Sequence, residues 1–244
     1  MNREQLLGKR IVVIGGGWSD EREISLESAT ECRRALLEAG FGTVDMLDLA
    51  ARDFVGQLMS GGYDVAFVAL HGRYGEDGSI QGLLDILHIP YTFSGVAASA
   101  AAAEKQIAKA VFKEAEIPVP DGVDIPAGAV LSDACLDSLV ERLGLPLFVK
   151  PAANGSSYGI SRVTERAQLN DAIARAGAAG GRVLVESCVE GTEITVPVLG
   201  NDDAHALPIV EIVTGVVRGV TTPQDKLDEI VSKVQSMLPE GEHR

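Results

Sequence analysis

The sequence predicts an α/β chain: an N-terminal domain on a parallel sheet, followed by a smaller α+β unit. Three observations carry this. Apolar, β-branched runs alternate with stretches of helical periodicity in the first half, the pattern of a parallel sheet covered by helices on both faces. The string IPVP at 117–120 breaks an alanine-rich helical region and marks a domain boundary. Beyond it, short strands flanked by helices suggest an α+β subdomain. Domains are therefore expected at 1–120 and 121–215, with a tail at 216–244 holding one helix.

Each element has its own signal. RIVVI (10–14) is a buried strand stopped by Gly15-Gly16-Gly17. In ISLESATECRRALLEAG the apolar residues Ile24, Ala29, Cys32, Leu36 and Ala39 recur at helical spacing, and Gly40 sits where a helix-ending glycine belongs. TVDMLDL reads as a strand, then a short helix follows, then the strand DVAFVAL (64–70). HGRYGEDGS is a polar loop, SIQGLLDILH (79–88) a helix, and 95–116 a helical region. In the second unit a helix is expected at 132–143 and strands at LFVK (147–150) and ISRV (160–163). A helix at 165–177, the strand RVLVES, and strands at 193–199 and 207–213 follow. The tail segment 223–238 reads as an amphipathic helix with Leu227, Ile230, Val231, Val234 and Leu238 on one face.

Composition narrows the function classes. A net charge of −14 with no basic run longer than two residues argues against nonspecific nucleic-acid binding, which needs clustered Lys and Arg. Local cations can still hold a nucleotide on an acidic protein. The three cysteines, Cys32, Cys135 and Cys188, are widely spaced and form no CxxC pair, so neither a zinc site nor a disulfide framework is indicated. No apolar run reaches the length of a membrane span and the N-terminus lacks a signal-peptide pattern, so a cytoplasmic protein is expected.

Four segments are candidates for chemistry, each with a plain structural alternative. GGGWSDERE lacks the third glycine of a dinucleotide fingerprint and is either a tight turn or a substrate loop at the sheet edge, where Glu21 would hold a substrate ammonium. His71, just past a buried strand, is either structural or placed to orient a carboxylate or carry a proton. Lys150 precedes the loop AANGSSYG rather than following a glycine loop, so this is no Walker A motif. The loop is either an ordinary connection or a cradle of backbone N–H groups and the Ser156 and Ser157 hydroxyls for phosphate. VESCV with Glu193 is either an edge strand with solvated acids or a hinge that reads a nucleotide base and ribose.

Read together, GGGWSDEREIS, ALHGRYGEDGSIQGLLDILHIPYTFSG, VKPAANGSSYGIS and VESCVEGTEITV stand in one chain in this order. The string closely resembles the D-alanine–D-alanine ligase family over residues 10 to about 213. The resemblance implies an N-terminal α/β domain followed by an ATP-grasp domain. It also implies ATP as cosubstrate, magnesium bridging the phosphates, and D-alanine as substrate, activated as an acyl phosphate and joined to a second D-alanine for peptidoglycan synthesis. A homodimer in the cytoplasm is the corresponding assembly.

Carried over by motif, Glu21 is implied to anchor the first D-alanine's ammonium and His71 to sit by its carboxylate. Ser156 is implied to hold Glu21, with Ser157 and Gly159 in the loop that closes over phosphate. Lys105, in AEKQIAK, and Lys150 are the implied phosphate contacts, Glu186 and Val189 the adenine hinge, and Glu193 the ribose acid. Phe93 replaces a glycine common in the family, and the hinge reads ESCV where a lysine and a bulky apolar residue are frequent. After Gly215 the family pattern continues with a loop bearing lysine and tyrosine, an arginine, and an ExNxxPG motif that holds magnesium; residues 216–244 show none of these. No metal ligand is therefore assigned. The expectation is a D-alanine–D-alanine ligase impaired in this form, with a non-catalytic nucleotide- or D-amino-acid-binding module, or half of a split ligase, as the alternative.

Overall fold

Five of the six residues of strand β1 (Arg10–Gly15) are buried, which a strand achieves when both sheet faces are covered. The computed structural model describes residues 3–153, 159–201, 203–213 and 216–220. They form two compact units, the first running through Glu104 and the second beginning at Lys105.

In the first unit, α1 (Arg3–Leu7) leads into β1, and then come α2 (Arg22–Glu38), β2 (Thr43–Asp48), α3 (Phe54–Ser60), β3 (Val65–Val68), α4 (Ser79–Ile86) and α5 (Val96–Ala103). The strands form a parallel sheet in the order β2-β1-β3. Alternation along β1 divides the core. Val12 and Ile14 pack with Phe54, Leu58, Ile80 and Leu84 of α3 and α4, while Ile11 and Val13 pack with Ala29, Cys32 and Leu36 of α2. Helix α2 ends as the sequence predicts. Gly40, at φ +102°, donates to Leu37 O and Phe41 to Leu36 O, the paired bonds of a Schellman stop.

The helical region at 95–116 is two helices. Glu104 is extended, and α6 (Lys105–Glu114) starts afresh with Lys105 N donating to Ala152 O instead of to the preceding helix. The unit boundary therefore falls ahead of IPVP. In the second unit, β4 (Gly122–Ile125), α7 (Asp133–Leu143), β5 (Leu147–Pro151), β6 (Ser161–Val163), α8 (Leu169–Gly180) and β7 (Val183–Ser187) follow α6, with a single 3-10 turn at Arg166–Gln168 opening α8. These strands make an antiparallel sheet in the order β4-β7-β5-β6. One face carries the core: Leu147, Val149, Val183 and Val185 pack on Leu136, Leu139 and Leu143 of α7 and on Leu169, Ala172, Ile173 and Ala176 of α8. Strand β4 has no strong sequence signal, since GVDI is short and half polar, and it was not among the expected strands.

The strand expected at 193–199 is broken into β8 (Ile194–Thr195) and β9 (Val198–Leu199) around Pro197, which has no N–H for a ladder. β9 pairs with β10 (His205–Ala206). β11 (Ile209–Val213) pairs with β8 and along its whole length with β12 (Val216–Val220), so the tail opens as a strand. The helix expected at 223–238 lies outside the described residues.

Candidate functional site

In the first unit the glycine turn after β1 is fixed by buried polar groups. Gly16 and Gly17 have φ of +73° and +85°, where only glycine is unstrained. Ser25 of α2, fully buried, donates through Oγ to Ala69 O at 2.8 Å and accepts from Gly16 N at 2.9 Å, tying the turn to the end of β3. Asp48, at the end of β2, takes Arg22 in a two-pronged pair at 3.0 and 2.5 Å. It also accepts from the N–H groups of Gly17 at 3.1 Å and Ala50 at 2.9 Å. The Arg22 guanidinium and those two N–H groups hold its carboxyl down to about 2.

This frame presents Glu21 at the start of α2, beside Gly72: a Cβ on Gly72 would stand 2.7 Å from Glu21 Oε2. The neighbouring Ser19 Oγ donates to His71 O at 2.8 Å. His71 Nε2 lies 3.1 Å from Ser28 Oγ, and Nδ1 lies 3.8 Å from Glu76 Oε1. Glu76 is in turn fixed by Gly72 N at 2.9 Å. Glu21 and His71 are thus gathered at the ends of β1 and β3, the edge where open parallel sheets carry their ligands. Trp18, in the same turn, is exposed and meets Tyr74 edge-on with ring centroids 5.8 Å apart. The sequence reading missed Ser19 and Ser28; the Ser25/Ser28 spacing of three on α2 was the available signal. A surface depression lined by Trp18, Leu49, Arg52, Phe54 and Leu83 contains none of the candidate residues.

The second unit gathers another group. Glu186 of β7 is opposite Phe148 of β5, and Lys150 is opposite Leu184, so Lys150 and Glu186 are diagonal neighbours on one sheet face. It is the face turned away from the core of α7 and α8. The Glu186 side chain is only 5% exposed, and its two oxygens form ion pairs with Lys150 Nζ and with Lys109 Nζ of α6. Gly122 of β4 makes the room: a Cβ there would stand 2.9 Å from Glu186 Cγ and 3.1 Å from Lys109 Nζ. Lys105, one turn before Lys109, reaches Ala152 O at 3.5 Å. The alternative of an edge strand with solvated acids does not hold for Glu186, because β7 runs between β4 and β5 and the carboxylate is buried between two ammonium groups. Lys109 was missed by sequence reasoning, although it is the second lysine of AEKQIAK.

Val189 and Glu193, past β7, are exposed, and Glu193 O accepts from Ile212 N at 2.8 Å. Gly159, at φ +80°, lies against Pro151 and Ala179 so closely that a Cβ would come within 2.8 Å of the Ala179 Cβ. Ser156 and Ser157 lie outside the described residues. Among the described residues no group of three or more His, Cys, Asp or Glu side chains is placed to hold a metal ion, and no helix is long and apolar enough to cross a membrane.

Comparison with known proteins agrees with both halves. Residues 49–94 match the family profile "D-ala D-ala ligase N-terminus" and residues 111–233 match "D-ala D-ala ligase C-terminus", running past residue 213 where the recognisable motifs stop. The D-alanine–D-alanine ligase of Polaromonas naphthalenivorans is 45% identical over 205 residues, 84% of this chain and 62% of that protein. That of Desulforamulus reducens is 46% identical over 213 residues, 85% of this chain and 68% of the other. The chain thus spans about 62–68% of the length of these two curated relatives. Among solved structures, the D-alanine–D-alanine ligase of Coxiella burnetii superposes with a TM-score of 0.77 at 27% identity, covering 94% of this chain and 77% of that one. The Bacillus anthracis enzyme complexed with ATP gives 0.76 at 30% identity, covering 93% and 75%. On profile, identity and fold together, the chain belongs to the D-alanine–D-alanine ligase family.

Proposed function

We propose that this chain carries out, or carries the substrate-binding and nucleotide-binding parts of, ATP-dependent joining of two D-alanines for peptidoglycan precursors. In this reading the first D-alanine's carboxylate attacks the γ-phosphorus of ATP and ADP leaves. The amine of the second D-alanine attacks the acyl phosphate, phosphate leaves, and an amide bond forms. The observation that carries the reading is the set Lys150, Glu186 and Lys109 on the sheet face away from the core, in a family whose Bacillus anthracis member is solved with ATP.

Glu21 takes the ammonium of the first D-alanine and His71, steadied by Ser28, faces its carboxylate. Ser156 supports Glu21. Lys105 and Lys150 supply positive charge to the phosphates, which lowers the cost of charge built up in transfer. Ser157 and Gly159 belong to the loop over the phosphates. Backbone groups at Glu186 and Val189 read the adenine edge, and Glu193 takes the ribose hydroxyls. The Glu186 carboxylate is committed to two lysines, and this reading assigns magnesium to none of the described residues. The same reading makes the protein a cytoplasmic homodimer with no nucleic-acid or membrane partner.

The test is D-alanine-dependent phosphate release from ATP with magnesium by the purified chain. Release should require D-alanine and fall by roughly a hundredfold in Glu21→Gln and in Lys150→Ala. Release independent of D-alanine, or undiminished in both variants relative to the unmodified chain, would refute the assignment. ATP binding without release would favour the nucleotide-binding module.

A further inference from the structure

Lys109 is given no role toward substrate or nucleotide in the reading above, yet it is the deeper of the two lysines that hold Glu186. Its side chain is 12% exposed, against 24% for Lys150, and both hold the one carboxylate of Glu186, itself 5% exposed. A carboxylate this buried needs a counter-ion at all times. If Lys150 engages a phosphate, it must loosen its hold on Glu186, and something has to stay behind.

We infer that Lys109 is a positioning residue for nucleotide phosphate: it neutralises Glu186 permanently, so that Lys150 can be released to the phosphates without stranding a buried charge. The inference rests on the reading of Lys150 as a phosphate contact. Three features support it. The two ammonium groups sit on different oxygens of Glu186, so one can leave while the other stays. The deeper lysine is on a helix, α6, and the shallower one is near the end of β5, toward the loop that follows. The absence of a side chain at Gly122 admits Lys109 to this depth, since a Cβ would stand 3.1 Å from its Nζ and 3.0 Å from Val185 O. With Lys109 removed, Glu186 would hold Lys150 alone. An incoming phosphate would then have to break a buried pair and face the bare carboxylate. Adenosine, which has no phosphate, would feel neither effect.

Calorimetric titration of the 244-residue chain with ATP and with adenosine tests this. Lys109→Met should weaken ATP by roughly tenfold or more while adenosine stays within about twofold. The double variant Lys109→Met/Glu186→Gln should bind ATP as Glu186→Gln alone does, because the carboxylate that Lys109 guards is gone. Equal losses for ATP and adenosine in Lys109→Met would mean a merely structural lysine and overturn the inference. A double variant much weaker than Glu186→Gln would mean that Lys109 touches the nucleotide itself, which also overturns it. That comparison stands even where Lys109→Met alone fails to fold, since neither Glu186→Gln nor the double variant leaves the Glu186 carboxylate buried with too few counter-ions. Failure of the unmodified chain to bind ATP is a different result, and it refutes the phosphate role of Lys150 before any variant is made.

Discussion

Asp48→Asn should destabilise the first unit, and its cost should vary with pH in a way that identifies the cause. The carboxylate accepts from both Arg22 nitrogens and from Gly17 and Ala50 N–H, while Arg22 also donates to Gly17 O at 2.8 Å. An amide cannot satisfy this set, because its NH2 would face the Arg22 donors. A carboxyl held at about 2 against an ordinary 3.8 sets a ceiling near ~2.5 kcal/mol. The side chains of Asp48 and Arg22 are 29% and 36% exposed, and solvent screening brings the expected loss to about 1–1.5 kcal/mol. Because the folded state depresses this carboxyl, its contribution is full above its ordinary 3.8 and disappears as pH falls through about 2. Urea unfolding followed by circular dichroism at stepped pH values measures the gap between parent and variant. It should be constant at neutral and mildly acid pH, and should close between about 4 and about 2. A gap that stays constant down to the acid end, or one below about 0.3 kcal/mol at neutral pH, would refute the argument.

Ser25→Ala would strand Ala69 O and Gly16 N in the core, and should cost about 2–3 kcal/mol in a urea titration. Leu136→Ala, at a fully buried position under the second sheet, should cost about 2–5 kcal/mol by the same assay. Arg166→Ala removes two ion pairs, with Asp133 and Asp137, whose acids are 84% and 66% exposed, and should change stability by less than about 1 kcal/mol. Gly122→Ala should weaken ATP binding, because its methyl group displaces Lys109 and Glu186; an unchanged ATP affinity would count against the packing argument.

The parallel sheet of the first unit was legible because RIVVI and DVAFVAL are apolar on both faces, and the stop of α2 because Gly40 supplies a conformation other residues resist. The pairing of Lys150 with Glu186 was half legible. Period-two alternation in LFVK and RVLVES puts both on the polar side of their strands, but only the register between β5 and β7 makes them neighbours. Lys109 could not be placed, since helical spacing joins it to Lys105 but says nothing of the strand it meets. The break at Glu104 was hidden for a related reason: alanines favour helix on either side, and a tertiary acceptor, Ala152 O, decides where the second helix starts. Pro197 did announce the interruption of its strand, and the expectation of one run across 193–199 gave it too little weight.

The exposed ring of Trp18 makes the first unit spectroscopically separable. It is the only tryptophan in the sequence, and it occupies the turn between the glycines after β1 and Glu21. Its emission therefore reports the surroundings of that one turn. Circular dichroism, by contrast, sums over the helices of both units. Unfolding curves from the two signals should superimpose if the units melt as one cooperative body, and should part if the first can open while the second stays folded.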